Sequence, residues 1–220
     1  MHIPDGFLDP HLCVLMYIIS LVFLAWAWRG VRRAFPRSFV PVIAVSSAFV
    51  FVGQMLNFPI VYGTSGHLVG GTFLATLLGP HAAIISMSIV LMIQAIFFAD
   101  GGIFTFGANI FNMAVIGGLS FYILRLLSAS SSSQKRFSAG VFMASWLSVV
   151  LGALACAIQI GISSIFASAG GMMVTVPAML YWHIIIGVGE ATITALFTSQ
   201  LLRVNPTVLH GLSILRGGRP

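Results

Sequence analysis

His67-Leu-Val-Gly-Gly-Thr-Phe-Leu-Ala-Thr-Leu-Leu78 is an apolar run of 12 residues, and the number of membrane crossings turns on how it is read. As a helix it would extend about 18 Å, well short of the ~30 Å hydrocarbon thickness of a bilayer. On either side lie longer apolar runs: Leu12–Trp28 and Phe39–Phe58 before it, then Ala82–Ala99, Ile110–Leu127, Gly140–Phe166 and Ala178–Leu202. Those six approach the required length on their own.

The cations decide whether the short run crosses. Arg29, Arg32, Arg33 and Arg37 follow the first run, Arg125, Lys135 and Arg136 the fifth, and Arg203, Arg216 and Arg219 the last. With seven crossings all 10 Lys+Arg fall on one face, which the positive-inside rule makes cytoplasmic. With six crossings they divide between the two faces. The distribution therefore predicts an all-α polytopic membrane protein with seven transmembrane helices, the N-terminus outside and the C-terminus cytoplasmic. Residues 1–220 read as a single membrane-embedded domain, with an N-terminal tail over 1–10 and a Ser-rich cytoplasmic linker over 128–137.

Composition agrees. Of the 220 residues 59% are hydrophobic and only 6% charged, against about a quarter charged in a soluble domain. The net charge of +6 is explained by topology and needs no nucleic-acid partner. Cys13 and Cys156 are far apart in apolar runs and form neither a disulfide framework nor a Cys-x-x-Cys site. No P-loop is present, and the single lysine is Lys135, so the chain itself is no P-loop ATPase. Transport against a gradient would need ATP hydrolysed by a partner, or an ion gradient.

The chemistry concentrates at the start of the chain. Met1-His-Ile-Pro-Asp-Gly-Phe-Leu8 lacks a basic n-region and is followed by no small-residue cleavage site, so the tail is expected to persist with a free amine on Met1. An α-amine, the next backbone amide and a histidine at position two form fused chelate rings in one plane. The three nitrogens of Met1 and His2 leave one in-plane corner open. Such tetragonal nitrogen coordination suits Ni(II) and Cu(II) better than Zn(II), and it requires a deprotonated amide. His67, at the outer start of the third run behind Gly63-Thr-Ser-Gly66, is the candidate for the fourth corner. Pro4 and Gly6 would turn the tail inward. A histidine at a span end can equally be interfacial, and His11, His81, His183 and His210 take that reading.

Several polar residues lie within or beside the spans. Gln54 and Asn57 share a face of the second, Gln94 lies in the fourth, and Asn109 and Asn112 stand at the entry to the fifth. Buried amides must be paired, so they either bind helices together or line a site. Asp5, Gln94, Asn109 and Asn112 are the candidates for orienting the ligands or anchoring the tail. Glu190 is the one acid inside a span.

The octapeptide Met1–Leu8, with Gly63-Thr-Ser-Gly-His-Leu-Val-Gly-Gly71, Gln94 with Asp100-Gly-Gly102, Asn109-Ile-Phe-Asn-Met113 and the His183…Glu190 region, resembles the substrate-binding membrane component of cobalt and nickel energy-coupling-factor transporters, the CbiM/NikM family. The resemblance implies a seven-span S-component, an extra N-terminal helix followed by a six-helix core. It implies Ni(II) or Co(II) as transported substrate, held by the Met1 amine, the His2 amide and imidazole, and His67. It further implies an energy-coupling transmembrane T-component, two cytoplasmic ATPase subunits and a small accessory membrane subunit. Similar proteins often present an Ala-x-x-x-Ala stripe to the coupling protein, and Ala44-Val-Ser-Ser-Ala48 fits that pattern. The reading is thus a high-affinity nickel/cobalt-binding subunit, not an enzyme, in a prokaryotic cell membrane, with planar nitrogen ligation favouring nickel. Two alternatives stand beside it. One is an ion-driven metal permease using Glu190; the other is a rhomboid-like serine protease using Ser65 of Gly63-Thr-Ser65-Gly66 and His183.

Overall fold

The computed structural model describes residues 1–56, 58–60, 64–128 and 133–215. Asn57, Gly63, Arg216 and Arg219, used in the sequence reading, lie outside the described residues. So do residues 129–132 of the Ser-rich stretch.

Among the described residues six helices are long and apolar enough to cross a membrane, and the short His67–Leu78 run is not one of them. They are α1 (Pro10–Ala34), α2 (Val40–Met55), α4 (Pro80–Phe98), the composite Phe106–Ser128, α7 (Gln134–Ile162) and α9 (Met172–Val204). The composite consists of α5 (Phe106–Asn109), a π-helical stretch over Ile110–Val115, and α6 (Ile116–Ser128). The short run behaves differently. Only Gly71–Leu78 is helical (α3), and His67–Gly70 leads into it without regular structure. Gly70 at φ 75 starts the helix late, and Gly79-Pro80 ends it. Before it a small antiparallel pair, β1 (Phe58–Ile60) with β2 (Thr64–Gly66), interrupts the all-α pattern, with Phe58 opposite Gly66.

Although short, α3 is the most enclosed element, with all of its residues buried. It packs against α4 and α6, and it meets α6 backbone to backbone. A Cβ on Gly71 would lie 2.6 Å from the Gly117 Cα, and one on Gly117 would lie 2.8 Å from the Gly71 Cα. Any side chain at either position would push the two helices apart. The far end of α3 reaches a small cavity lined by Leu78, Gly79, His81 and His210, with Gly30 of α1. His210 begins the last short helix, α10 (His210–Leu215). Helix takes up both described ends of the expected linker, Ser128 closing α6 and Gln134 opening α7. A one-turn helix, α8 (Ser164–Ala167), joins α7 to α9.

The outward faces of α1, α2, α4 and α9 carry exposed Leu15, Val45, Phe97 and Leu196. That arrangement suits a lipid solvent and no other. Inside lie Met1, Ile3 and Leu8 of the tail, with exposures of 3%, 0% and 4%, so the tail is part of the core.

Candidate metal centre

Pro10 at the first turn of α1 marks where the tail ends and helix begins. Behind it, Asp9, Asp5 and Ile3 of the tail are each tied down by hydrogen bonds. Asp9 accepts from the Ser164 backbone N–H at 2.7 Å and its hydroxyl at 2.6 Å, and those bonds hold its carboxyl below the usual range. Asp5 accepts the successive backbone N–H groups of Ile103, Phe104 and Thr105 at 3.0, 2.7 and 3.3 Å. Ile3 is clamped at both backbone groups. Its N–H donates to Asn109 Oδ1 at 2.8 Å, and its carbonyl accepts from Asn109 Nδ2 at 3.0 Å, the Gly102 N–H at 2.9 Å and the Thr105 hydroxyl at 2.5 Å. Asn109 stands where α5 gives way to the π-helical turn, a local deformation common at functional sites.

The loop after α4 is shaped to receive this tail. A Cβ on Gly102 would fall 2.1 Å from Asp5 Oδ1, and one on Gly101 would meet His2 Cδ2 at 3.3 Å and Asn109 Nδ2 at 3.0 Å. Gly101 has φ 91, which also favours glycine.

The terminus thereby arrives beside His67. The Met1 nitrogen lies 3.2 Å from His67 Nε2, and both residues are 3% exposed. His67 Nδ1 donates to the Leu68 carbonyl at 2.9 Å, which leaves the Nε2 lone pair facing the amine. The His2 ring lies 4.7 Å from the His67 ring, centroid to centroid. His2 Nε2 is 3.2 Å from Gln94 Oε1 and donates to it, so the lone pair of His2 sits on Nδ1. That Nδ1 is buried and has no hydrogen-bond partner, and Asp100 Oδ1 lies 3.4 Å from it. Burial drives the His2 pKa down to about 3 and also lowers that of the Met1 amine. Burial raises the Asp100 carboxyl, and the nearby amine works against that rise.

A buried amine and two buried or half-buried imidazoles therefore lie side by side, the His67 lone pair taken by the amine and that of His2 Nδ1 unpartnered, and the Met1–His2 amide joins the amine to the His2 ring. Nitrogens about 2 Å from a divalent ion at right angles stand about 2.8 Å apart. The 3.2 Å between Met1 N and His67 Nε2 is within a few tenths of that spacing. Among the described residues no group of three or more His, Cys, Asp or Glu side chains could hold a metal. A site here would draw on the Met1 amine and the backbone as well as on side chains.

The structure brings together Met1, His2, His67, Asp5, Gln94 and Asn109 from the sequence reading. It separates Asn112, whose side chain pairs with Gln159 (2.7 and 2.9 Å) on α7 rather than with the tail or His67. Asn112 lies three residues beyond Asn109, within the π-helical stretch, where three residues fall well short of a full turn and leave it off the tail-facing side. Ala44 and Ala48 are exposed on α2, remote from the pocket. Gln54 donates to the Val69 carbonyl at 2.6 Å. Glu190 accepts the backbone N–H groups of Val69 and Gly70 at 2.7 and 2.9 Å, so it grips the loop that carries His67. Its position as the lone acid within a span was the sequence signal; that partner was not readable. His183 bonds the Met179 carbonyl at 2.8 Å, one turn back on its own helix, and His81 lies against Trp26 with the ring centroids 4.4 Å apart and the planes tilted by 51°.

A bundle of long apolar helices closed over an inserted, nitrogen-rich terminus defines a multi-pass membrane protein with a small-ion pocket. Comparison with known proteins specifies the class. The chain belongs to the CbiM family, described as the cobalt uptake substrate-specific transmembrane region, which matches residues 2–208. It is 39% identical over 223 residues to the fused nickel transport protein NikMN of Rhodobacter capsulatus, covering 95% of this chain and 64% of that longer protein. A crystal structure of a truncated transition metal transporter superposes with a TM-score of 0.83 at 39% identity, covering 92% of this chain and 99% of that one. A second transition metal transporter structure gives 0.83 at 38% identity, covering 97% and 98%. The chain is thus a multi-pass prokaryotic membrane protein of a metal transport family, not an enzyme. The protease reading of Ser65 and His183 is set aside on that ground.

Proposed function

We propose that this protein is the nickel- or cobalt-binding subunit of an ATP-driven energy-coupling-factor importer. The metal is the transported substrate, and nickel is favoured. Its ligands are the Met1 amine, the Met1–His2 amide nitrogen, His2 Nδ1 and His67 Nε2. The reading rests on the buried Met1 nitrogen lying 3.2 Å from the lone-pair nitrogen of His67. Burying an amine and two imidazoles is costly unless something uses their lone pairs, and His2 Nδ1 has no hydrogen-bond partner. A divalent ion does so, and planar nitrogen donors suit Ni(II). Gln94 fixes the tautomer of His2, while Asn109 and Asp5 hold the tail that bears it.

On this reading residues 1–220 form one membrane domain with seven crossings, the N-terminus outside and the C-terminus cytoplasmic. His67–Leu78 makes its crossing as a half-extended segment rather than a full helix. The small cavity shared by Leu78, Gly30 and His210 supports this, because it puts the end of α3 at the same end of the bundle as the residues after α9. Irregular backbone is tolerated at membrane depth when it is enclosed by protein, as His67 and Val69 are, at 3% exposure each. A T-component, two ATPases and a small accessory subunit complete the importer, with Ala44 and Ala48 offering small-residue contact to the T-component. Release inward requires a state that binds the metal more weakly, since a ligand shifts an equilibrium only through differential affinity.

The test adds two residues before Met1. The purified protein with its authentic start is expected to bind Ni(II) with the absorption of a planar nitrogen complex, and the extended protein to lose that metal while keeping its helical content. Full nickel binding by the extended form would refute the ligand set.

A further inference from the structure

We propose that Asp100 is the capture and charge-balancing group for the divalent ion, an oxygen donor beside the nitrogen ligands; this rests on the ligand set above. The chain has four acids in all. Three of them are occupied by donors: Asp5 by three backbone amides, Asp9 by Ser164, and Glu190 by the amides of Val69 and Gly70. Asp100 is the exception among the described residues. No hydrogen-bond donor reaches its carboxylate, and its Oδ1 stands 3.4 Å from the unpartnered Nδ1 of His2. Two facing acceptors with no donor between them are unfavourable in isolation and well matched to a cation.

Charge gives the same answer. Binding through the Met1 amine, a deprotonated amide and two neutral imidazoles places one negative charge against two positive ones. The residual positive charge would sit in a buried site, where an uncompensated charge is expensive. The Asp100 carboxylate brings the assembly to neutrality. It is also placed for capture, since its side chain is 22% exposed whereas that of His2 is 4% exposed. A hydrated ion arriving from outside would meet the carboxylate first. The loop supports this position: Ala99 adopts φ 52, uncommon for a residue with a side chain, and Gly101 follows at φ 91. That backbone turns the carboxylate toward the tail.

An oxygen donor next to a planar nitrogen set also bears on selectivity. Ni(II) is satisfied by four planar nitrogens, whereas an added oxygen helps a metal that prefers higher coordination, such as Co(II).

The experiment compares wild type, Asp100→Asn and Asp100→Glu, each full length with its authentic Met1, using Ni(II) alone and Co(II) alone. Asp100→Asn is expected to bind Ni(II) about tenfold or more slowly at low salt, with the salt dependence of the association rate largely lost. Its Co(II) affinity should fall further than its Ni(II) affinity, and Asp100→Glu should restore most of the rate. A purely structural role would not change the ratio between the metals or the salt dependence. Wild-type rates and affinities for both metals in Asp100→Asn would overturn the proposal. Should that variant fail to fold, the wild-type rate decides: an association rate insensitive to ionic strength refutes the capture role. Loss of nickel on N-terminal extension, together with an unaffected Asp100→Asn, would sink this inference alone. Retention of nickel by the extended form would sink the ligand set beneath it.

Discussion

Replacing Glu190 by Gln tests whether a helix far along the chain positions the His67 loop. The carboxylate accepts from Val69 N at 2.7 Å and from Gly70 N at 2.9 Å, and Glu190 is 4% exposed. Hydrogen bonds to a charged acceptor contribute about 1.5–3 kcal/mol each. Gln keeps one carbonyl acceptor but turns an NH2 group toward the second amide, so one bond is lost and two donors face each other. The loop should therefore be destabilised by about 2–3 kcal/mol. Val69 is two residues from His67, so we expect much of that to appear as displacement of the imidazole. At about 1.4 kcal/mol per decade, nickel affinity should fall roughly 10–100-fold without vanishing. The assay is nickel titration of the purified protein, alongside its thermal unfolding without metal. A lowered unfolding temperature with unchanged affinity would refute the reasoning, because it would make the grip a matter of helix packing only.

Acid should release the tail. The folded-state pKa of His2 is about 3, below its ordinary 6.5, so between those values the unfolded or undocked tail binds more protons than the docked one. Docking is therefore strongest above about pH 6.5 and weakens as pH falls toward 3, by about 2 kcal/mol at pH 5. The protection factor of the Ile3 amide hydrogen in the metal-free protein should fall over that range, and a protection factor that stays constant while the rate merely tracks intrinsic exchange chemistry would count against tail docking through neutral His2. Gly102→Ala would place a methyl 2.1 Å from Asp5 Oδ1, so the loop and tail must separate. Nickel binding should drop at least about tenfold while helical content is preserved, since a shift at a tightly packed contact is not absorbed freely; undiminished affinity would show that this contact does not position the tail.

What could be read in advance followed from local or additive physics. Hydropathy summed over each long run fixes its preference for lipid, whatever its neighbours. The chelating capacity of Met1–His2 is a property of adjacent covalent geometry. The burial of Met1 and its meeting with His67 were inferred from the side of the membrane on which each should lie, and the structure brings them to 3.2 Å.

What neighbouring residues do not decide is settled by contacts between elements remote in sequence. Asn109 and Asn112 look equivalent at three-residue spacing, yet the first clamps Ile3 and the second pairs with Gln159, because a π-helical turn changes which way each faces. The length of His67–Leu78 already marks it as too short for a full membrane helix, but that it is helical only from Gly71 and wholly enclosed is decided by Gly70 and the Gly71–Gly117 contact. The sequence by itself thus determined the solvent of this protein and the donor atoms at its first two residues, since both are settled within a few bonds or by simple sums over neighbours. Tertiary structure alone decided that Glu190 holds the His67 loop and that Asp100 faces His2 with no donor of its own. Those contacts join residues about 100 or more positions apart, whose meeting depends on how every intervening helix packs.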